Sequence, residues 1–415
     1  MKITFSSPSV RRCVRAISSK SEAHRALICA SLSDSETKII CTDTNADIDA
    51  TASCLSSLGA RIRRVDDGFV VSPISQVPTH AVLDANESGS TLRFLLPLVA
   101  SLGADCEFIM RGRLASRPLS PLYELLCENG VSLSEAGRSP LSLSGRLPSG
   151  EYTLAANISS QYVSGMLFAL SVACGRSILR LSGKVESAPY ILMTLDTLKS
   201  FGADIEFDEN NGIFYINGKR RLVSPSSFEV GGDWSNAAFM LVAGVIGSRA
   251  LTVSNLDVQS HQGDRAIIDV LRKMGADIVF ENGNFTARPS RLRGIRIDAS
   301  DIPDLVPILS VAASVAEGET VIYNAQRLRL KESDRIESVC STLLSLGACI
   351  RATEDGMVIF GKERLEGGEV DSFNDHRIAM SAAVASLVCD GAVTVSRFEA
   401  INKSFPSFLD NFESL

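Results

Sequence analysis

Hydrophobic and polar positions follow a pattern that repeats about every 72 residues along the chain. Its clearest marker is an apolar helix end, then Gly, then a short strand-like run. The five marker glycines are Gly59, Gly130, Gly202, Gly275 and Gly347, at intervals of 71, 72, 73 and 72 residues. Glycine at this point often supplies the left-handed residue that ends a helix. Such constant intervals indicate an internal repeat.

Each repeat also begins alike, with a polar turn followed by a helix that is apolar on most faces. Ser, Asp or Asn at such a turn is typical of a helix N-cap, and a helix that is apolar all round is buried. The six turns are residues 18–21, 87–90, 159–161, 233–235, 301–304 and 374–376. The pattern then predicts a strand, such as Thr320–Tyr323 or Ala392–Ser396, and a second helix that leads to the marker glycine.

Six units of about 70 residues account for the chain. The sixth is short, and we expect the opening strand Lys2–Phe5 to complete it. Because six units are too many for one core of ordinary size, the sequence predicts an α/β protein of two similar domains with three units each. The polar stretch Arg220–Ser227 marks the boundary. The predicted domains are residues 1–18 with 231–415, and residues 19–230.

Composition and charge narrow the class of protein. The net charge of −7 argues against a nucleic-acid partner attracted by bulk charge. The ten cysteines form no CxxC pair, and most lie in apolar contexts, such as Cys29, Cys174 and Cys389. This usage indicates reduced core cysteines in a cytoplasmic protein. The first residues lack the apolar stretch of a signal peptide, and apolar runs such as Ala237–Gly247 are too short to span a bilayer.

Candidate chemistry begins with a charged run at residues 329–335. Read as a helix, the run places Lys331 and Arg335 four residues apart on one face, with Glu332 beside Lys331. Paired cations at that spacing suit an anionic ligand, and a carboxylate at their edge suits proton transfer. The competing interpretation is a solvent-exposed helix face of mixed charge.

The repeated polar turns extend this interpretation, because helix N-termini attract anions. The cations in the turns are Lys20, Arg25, Arg93 and Arg377; their polar neighbours are Ser21, Gly89, Ser90, Ser159, Ser160, Gln161 and His376; and Arg117, Lys331, Arg335 and Lys403 lie outside the turns. Any one turn could be a structural cap alone. Six parallel turns with cations instead predict one shared cleft for substrates that carry several negative charges, complete only when the two halves meet.

Other common signatures of chemistry do not occur in the sequence. The four histidines are scattered without the spacing of metal ligands. There is no Walker loop, no GxGxxG at a strand-to-helix turn and no GxSxG elbow. His376, next to Arg377, is a candidate for polar chemistry. The sequence therefore shows no recognised motif for a metal or a nucleotide cofactor.

Together these stretches resemble the 5-enolpyruvylshikimate-3-phosphate (EPSP) synthase family. The matching motifs, in the family's order and over nearly the whole chain, are residues 19–21 with Arg25, then residues 88–93, 116–119, 159–161, 187–190, 302–304, 330–336, 374–377 and 403–406. Lys331–Arg335 and Asn374–Arg377 are the most specific. Glu87 departs from the family, many members of which have Asn at that position.

The resemblance implies two similar domains, each of three βαβαββ units with buried helices, an arrangement described as an inside-out α/β barrel. It implies transfer of the enolpyruvyl group of phosphoenolpyruvate to the 5-hydroxyl of shikimate 3-phosphate, with release of phosphate and without a metal or organic cofactor. This reaction belongs to the shikimate pathway to chorismate and the aromatic amino acids, and glyphosate competes with phosphoenolpyruvate. We expect a cytoplasmic monomer that acts on these small molecules, without nucleic-acid or membrane partners.

The resemblance also implies roles for individual residues. The residues implied for shikimate 3-phosphate are Ser21, Arg25, Ser159, Ser160, Gln161, Ser187, Tyr190, Asp304 and Lys331. Those implied for phosphoenolpyruvate are Lys20, Gly89, Arg117, Gln161, Arg335, Arg377 and Lys403. The implied catalytic residues are Asp304, Glu332, Lys20 and His376. Asp304 would take the hydroxyl proton and Glu332 would protonate the methylene carbon, although proton roles in such a pair need geometry to assign.

Two rival functions stay open at this point. The related transferase that acts on UDP-N-acetylglucosamine usually has a Cys in the loop before the Arg-Pro matched here by Arg117-Pro118. That loop, Arg111–Ser116, contains none, and Cys106 is predicted to lie in a core strand. A non-catalytic binding protein on the same repeats is the second rival. Such a protein would need neither carboxylate, and release of phosphate from phosphoenolpyruvate would exclude it.

Overall fold

The computed structural model describes residues 1–155, 159–183 and 187–414. The α-helices are α1 (Lys20–Ser31), α2 (Ala46–Ser57), α3 (Gly89–Leu102), α4 (Leu122–Glu128), α5 (Ser160–Val172), α6 (Ala188–Ser200), α7 (Trp234–Ile246), α8 (Ile267–Lys273), α9 (Val306–Ser314), α10 (Arg335–Ser345) and α11 (His376–Ala385). The strands are β1 (Lys2–Phe5), β2 (Ser9–Val10), β3 (Cys13–Arg15), β4 (Thr37–Ile40), β5 (Arg61–Val65), β6 (Gly68–Ser72), β7 (His80–Asn86), β8 (Asp105–Met110), β9 (Val131–Leu133), β10 (Leu141–Gly145), β11 (Glu151–Ala155), β12 (Gly175–Ser182), β13 (Asp204–Asp208), β14 (Ile213–Gly218), β15 (Ser227–Glu229), β16 (Leu251–Ser254), β17 (Asp277–Glu281), β18 (Asn284–Arg288), β19 (Arg296–Asp298), β20 (Glu319–Tyr323), β21 (Cys349–Ala352), β22 (Met357–Phe360), β23 (Gly368–Asp371), β24 (Val393–Ser396) and β25 (Phe412–Ser414). None of the described helices is long and apolar enough to cross a membrane.

The chain forms two compact units, residues 18–230 and residues 1–17 with 231–415. The polar stretch Arg220–Ser227 belongs to the first of these. There Arg221 donates hydrogen bonds of 3.0 Å to the carbonyl oxygens of Ser33 and Ile74. Strand β15 then adds to the sheet of β4. The polar composition of this stretch therefore reflects its hydrogen bonding within residues 18–230.

The described residues of the unit 18–230 form three four-stranded sheets of one design. Their strand orders are β15-β4-β6-β5, β7-β8-β10-β9 and β11-β12-β14-β13. In each sheet the first pair of strands is parallel and the other two pairs are antiparallel. Helices α3 and α5 connect the parallel pairs β7–β8 and β11–β12, and nearly all their side chains are buried. The apolar helices therefore form the core, as the sequence pattern predicted.

The other unit repeats the same design. Its sheets have the orders β3-β16-β18-β17, β19-β20-β22-β21 and β23-β24-β1, and β2 pairs separately with β25. The first pair of each sheet is again parallel. Strand β1 pairs antiparallel with β24, so the opening strand completes the sixth unit as predicted. Helices α7, α9 and α11 lie in the core. The predicted α/β fold, with three similar units in each half, is confirmed.

The repeat markers have the backbone conformation that the sequence predicted. The marker glycines have φ angles of 103° at Gly59, 90° at Gly130, 68° at Gly202, 99° at Gly275 and 83° at Gly347. Each follows the second helix of its unit and precedes a strand. A residue with a side chain is strained in this left-handed region, which explains why glycine recurs at a fixed interval.

Five of the six predicted polar turns cap a helix. The side chains of Ser19, Ser88, Ser159, Asp233 and Asp375 each accept a hydrogen bond from a backbone N–H in the first turn of α1, α3, α5, α7 and α11. The fifth turn differs, because Asp304 lies in a 3₁₀ turn, Pro303–Leu305, and α9 begins after Leu305 without a side-chain cap. Pro303 and Pro307 have no N–H group, so this helix start has fewer donors to satisfy.

Two other predictions from sequence are wrong. Residues 329–335 do not form one helix, because Gln326–Leu330 is a 3₁₀ turn and α10 begins only at Arg335, where Asp334 accepts a hydrogen bond from the Glu337 N–H. Lys331 therefore precedes the helix and does not share a helix face with Arg335. Cys174 is exposed in the turn before β12, whereas Cys29 and Cys389 are buried as expected.

Candidate active site

The start of α1 holds two of the predicted cations. Lys20, the first residue of α1, donates a 2.9 Å hydrogen bond from Nζ to Asp47 Oδ2 on α2. Arg25 lies one turn later and is buried. Its Nε donates to Thr194 Oγ1 at 2.8 Å, and its Nη2 donates to the Tyr190 carbonyl at 2.9 Å. Burial lowers the pKa of Arg25 to about 10, so it remains a cation at neutral pH.

Two guanidinium groups lie over the first turn of α3. A methyl group on Gly89 would be 2.5 Å from Arg93 Nη1 and 2.8 Å from Arg117 Nη1, so only glycine leaves them room in this arrangement. Arg93 Nη1 also donates to Gln161 Oε1 at 3.3 Å, and Gln161 Nε2 donates to Ser90 Oγ at 3.0 Å. The first turns of α3 and α5 are therefore joined around a cationic, donor-rich surface that suits an anion.

Hydroxyl groups complete the predicted set in this unit. Ser159 caps α5, and Ser160 is its first residue. Ser187 precedes α6 in the left-handed conformation, with φ of 55°, which is uncommon for serine and recurs at functional sites. Tyr190 lies in the first turn of α6, where its carbonyl accepts from Arg25. Residues 184–186, just before Ser187, lie outside the described residues.

In the other unit, three cations surround Asp304. Its Oδ1 accepts from Arg335 Nη1 at 2.7 Å and from Lys331 Nζ at 3.4 Å, and its Oδ2 is 3.3 Å from Arg377 Nη2. Burial alone would raise the pKa of Asp304, but the charges of Arg377, Lys331 and Arg335 outweigh burial and hold the pKa well below its ordinary value. Asp304 is therefore a carboxylate at neutral pH.

Arg335 is the most buried cation of this cluster, with 1% of its side chain exposed. Besides Asp304 it contacts Asp375 Oδ2, 2.8 Å from Nε, and Glu332 Oε2, 2.7 Å from Nη2. Burial would lower its pKa, yet the three carboxylates raise it above its ordinary value. The predicted proximity of Lys331, Glu332 and Arg335 is therefore correct, although it arises from a turn and not from one helix face.

His376 and Lys403 flank this cluster. His376 is the first residue of α11 and is buried, with Nδ1 4.0 Å from Asp375 Oδ1. Lys403 donates a 2.7 Å hydrogen bond from Nζ to the Asn374 carbonyl, which places it at the turn before α11. Arg377 also donates to the Asp304 carbonyl at 3.1 Å. The unit thus gathers all seven of its predicted residues, Asp304, Lys331, Glu332, Arg335, His376, Arg377 and Lys403, around α10 and α11.

Two acidic residues of this cluster are not among the predicted site residues. Asp375 belongs to a predicted capping turn and to the Asn374–Arg377 motif, and its side chain is fully buried against Arg335. Asp264 lies in a 3₁₀ turn, Gly263–Ala266, and accepts a hydrogen bond from Ser235 Oγ. Burial and the nearby charge of Asp304 raise the pKa of Asp264 to about 6. Asp264 lies outside the six repeated turns, so the repeat pattern gives no signal for it. Its proximity to Asp304 arises from the three-dimensional fold.

The clusters have the chemistry expected for anions and proton transfer. Cations and helix N-termini can hold phosphate and carboxylate groups, and carboxylates beside them can exchange protons with a bound substrate. Among residues 1–155, 159–183 and 187–414, no group of three or more His, Cys, Asp or Glu side chains could hold a metal ion. Cys106 is buried in β8, as predicted, and is not part of the loop before Arg117.

Comparison with known sequences identifies the family. The chain matches the family model of EPSP synthase (3-phosphoshikimate 1-carboxyvinyltransferase) over residues 7–412. It is 40% identical over 408 residues to the 3-phosphoshikimate 1-carboxyvinyltransferase of Clostridium novyi (strain NT), with 96% of this chain and 93% of the relative covered. The protein of the same name from Clostridium acetobutylicum is 41% identical over 405 residues, with the same coverage of 96% and 93%.

Solved structures agree with the sequence comparison. EPSP synthase from Acinetobacter baumannii matches with a TM-score of 0.81 at 26% identity, over 99% of this chain and 96% of that chain. The enolpyruvyl transferase NikO from Streptomyces tendae matches with a TM-score of 0.77 at 17% identity, over 99% and 95% of the two chains, and shares the fold. The resemblance inferred from the motifs is thus confirmed, and the chain belongs to the EPSP synthase (3-phosphoshikimate 1-carboxyvinyltransferase) family.

Proposed function

We propose that the protein transfers the enolpyruvyl group of phosphoenolpyruvate to the 5-hydroxyl of shikimate 3-phosphate and releases phosphate. Membership of the family and relatives of that name at 40% and 41% identity support this activity. The observation that carries it in the structure is the cluster of Lys331, Arg335 and Arg377 around Asp304. The reaction is a step of the shikimate pathway, which supplies the aromatic amino acids.

Both substrates are anions, so they need fixed cations to approach each other. For phosphoenolpyruvate we propose the cations Lys20, Arg117, Arg335, Arg377 and Lys403, with the backbone at Gly89 and the amide of Gln161. For shikimate 3-phosphate we propose Ser21, Arg25, Ser159, Ser160, Gln161, Ser187, Tyr190, Asp304 and Lys331. These assignments are supported by the guanidinium groups over Gly89 and by the Arg25 guanidinium, which donates to Thr194 Oγ1 and to the Tyr190 carbonyl.

The three cations around Asp304 suggest how a weakly basic carboxylate becomes an effective base. With no anion bound, Lys331, Arg335 and Arg377 hold its pKa low. Substrate phosphate and carboxylate groups bound to the same cations would offset their charge and raise the pKa of Asp304. Asp304 then accepts the proton of the 5-hydroxyl as the oxygen attacks the central carbon of phosphoenolpyruvate. The base is thus strengthened only when both substrates are present.

The methylene carbon of phosphoenolpyruvate must gain a proton in the addition step and lose one when phosphate leaves. Glu332, 2.7 Å from the Arg335 guanidinium, is the proposed donor. We propose that Lys20, the first residue of α1, and His376, the first residue of α11, are also catalytic residues in this proton transfer. The net reaction exchanges the bond from the central carbon of phosphoenolpyruvate to the phosphate oxygen for a bond from that carbon to the hydroxyl oxygen.

The experiment that tests the proposed function measures phosphate release from phosphoenolpyruvate by the purified protein. Release is expected only when shikimate 3-phosphate is present, with the enolpyruvyl ether of shikimate 3-phosphate as product, identified by mass spectrometry. UDP-N-acetylglucosamine serves as the control acceptor and should support no release. Release with that acceptor and none with shikimate 3-phosphate would overturn the proposal, and no release with either would contradict both transfers.

We also propose that the protein acts as a cytoplasmic monomer. All ten cysteines are free thiols, as expected in a reducing compartment. Light scattering during gel filtration should give a mass near 44.4 kDa. A mass near twice that value would contradict the monomer.

A further inference from the structure

A chain of four buried polar side chains crosses three helices in the unit of residues 18–230. His24 Nδ1 on α1 lies 2.7 Å from Thr51 Oγ1 on α2, and Thr51 Oγ1 lies 2.6 Å from Thr91 Oγ1 on α3. Thr91 Oγ1 donates to Ser88 Oγ at 2.7 Å. All four side chains are 0% exposed. No proposed substrate ligand is a member of this hydroxyl chain.

The number of protons in the hydroxyl chain fixes its direction. Each hydroxyl has one proton, and that of Thr91 is given to Ser88. Thr91 must therefore accept from Thr51, and Thr51 must accept from His24. His24 thus has a proton on Nδ1, and its Nε2 has no hydrogen-bond partner among the described residues. Burial, reinforced by the charges of Lys20 and Arg25, lowers the pKa of His24 well below its ordinary value, consistent with a neutral ring.

Both ends of the hydroxyl chain adjoin proposed substrate ligands. Ser88 is the N-cap of α3 and precedes Gly89, so its position sets that of the first N–H groups of α3. At the other end, His24 lies one turn after Lys20 on α1. Thr51 lies one turn after Asp47, which accepts a hydrogen bond from Lys20. The starts of α1 and α3 are therefore tied through α2.

We propose that His24, Thr51 and Thr91 are positioning residues that hold the first turn of α3 in register with α1 and thereby set the affinity for the phosphoenolpyruvate anion. This inference rests on the proposed function for its ligand. A valine at position 51 has nearly the shape of threonine, but it would leave the Nδ1–H of His24 and an acceptor on Thr91 buried without partners. The cap at Ser88 would then be less firmly placed, and the anion site on α3 less well formed.

The kinetic test compares Thr51→Val with Thr51→Ser, which keeps the hydroxyl. Thr51→Val should raise the KM for phosphoenolpyruvate roughly tenfold, the effect of losing one buried hydrogen bond. The KM for shikimate 3-phosphate and kcat should change by less than about threefold, and Thr51→Ser should restore the wild-type KM. Thr197→Val is the matched control, because Thr197 is equally buried in the same unit but donates only within its own helix, to Met193.

A second measurement tests the chain without enzyme activity. Nitrogen-15 NMR of the imidazole rings, with His24 assigned by its loss in His24→Gln, should show a neutral ring protonated at Nδ1 between pH 6 and 8. A ring protonated at Nε2, or equal KM values for Thr51→Val and Thr51→Ser, would overturn the inference. If Thr51→Val does not fold, the tautomer of wild-type His24 decides. A wild type with no transferase activity would contradict the proposed function, and the NMR result would still test the chain.

Discussion

At the scale of single residues, two carboxylates of the candidate site have different roles in the proposed reaction. Asp304 contacts Lys331, Arg335 and Arg377, and Glu332 forms an ion pair with Arg335. Such an arrangement keeps Asp304 ionised before substrates bind. It favours Asp304 as the proton acceptor and leaves Glu332 for the donor role.

Glu332→Gln tests the donor role. Glutamine keeps the shape and a hydrogen-bond acceptor for Arg335, but it has no proton to give, so kcat should fall by roughly 100- to 10,000-fold with little change in KM. Glu337→Gln is the control, because Glu337 is 61% exposed and forms an ion pair with Arg329. Near-normal kcat in Glu332→Gln would assign the proton donor to another group.

Lys331→Met should instead weaken shikimate 3-phosphate binding.

Gly89→Ala tests the wall of the phosphoenolpyruvate site. The added methyl group would lie 2.5 Å from Arg93 Nη1 and 2.8 Å from Arg117 Nη1, so both flexible ends must shift. Glyphosate is longer than phosphoenolpyruvate, and such crowding should raise its inhibition constant about 10- to 100-fold, with a smaller rise in the KM for phosphoenolpyruvate.

The control for this variant is Gly150→Ala, where the three atoms nearest to the added methyl group belong to Tyr152 and lie at ordinary contact distances of 3.6 Å and more. Inhibition constants measured against phosphoenolpyruvate for both variants and the wild type decide the question. An unchanged inhibition constant in Gly89→Ala, or a wild type that glyphosate does not inhibit, would show that Gly89 does not form this wall.

At the scale of elements, the sequence predicted the helix starts well because the signals are local. Ser88 and Asp375 cap their helices through hydrogen bonds to residues two or three positions away. The run at residues 329–335 was misread because its charge spacing suits a helix, whereas the cap at Asp334 starts α10 later. The contacts of Asp304 with Arg335 and Arg377 could not be predicted, because they join separate elements.

The 3₁₀ turn Gly263–Ala266 adds a pH-dependent term to stability. Its Asp264 has a pKa of about 6, raised by burial and by Asp304 from the ordinary value of 3.8. As pH rises from 4 to 6, the unfolded chain releases this proton while the folded chain keeps it, so the free energy of unfolding decreases through that window. Above pH 6 the loss amounts to about 3 kcal/mol, and Asp264→Asn, which carries no charge, should avoid it.

Urea unfolding followed by fluorescence measures this effect, because Trp234 is the single tryptophan and is buried at the start of α7 beside Ser235. Relative to the wild type, Asp264→Asn should gain stability from about zero at pH 4 to about 3 kcal/mol at pH 7.5. Asp269→Asn, an exposed change on the neighbouring helix α8, should show no such trend. A difference that does not vary with pH would contradict the assignment of the proton to Asp264.

At the scale of the whole molecule, the proposed ligands of shikimate 3-phosphate are divided between the two units. Arg25, Ser159 and Ser187 lie in residues 18–230, and Asp304 and Lys331 lie in the other unit. The repeat predicted six similar units from a constant interval. Nothing in that interval distinguishes units that bind substrate from units that only complete the fold, so the proposed ligands were assigned from the family motifs and not from the repeat.

Hydrogen exchange tests whether both units bind the same ligand. Saturating shikimate 3-phosphate should slow amide exchange in the first turns of α1 and α5 and also at the start of α10, because bound ligand reduces local opening. Helices α4 and α8, which contain no proposed ligand, provide one internal control in each unit and should exchange at an unchanged rate. Since Lys331 and Asp304 are the proposed contacts near α10, Lys331→Met should reduce protection there while leaving protection of α1 largely in place. Protection limited to residues 18–230 in the wild type would show that shikimate 3-phosphate binds to that unit alone, and the roles proposed for Lys331 and Asp304 in binding it would then be wrong.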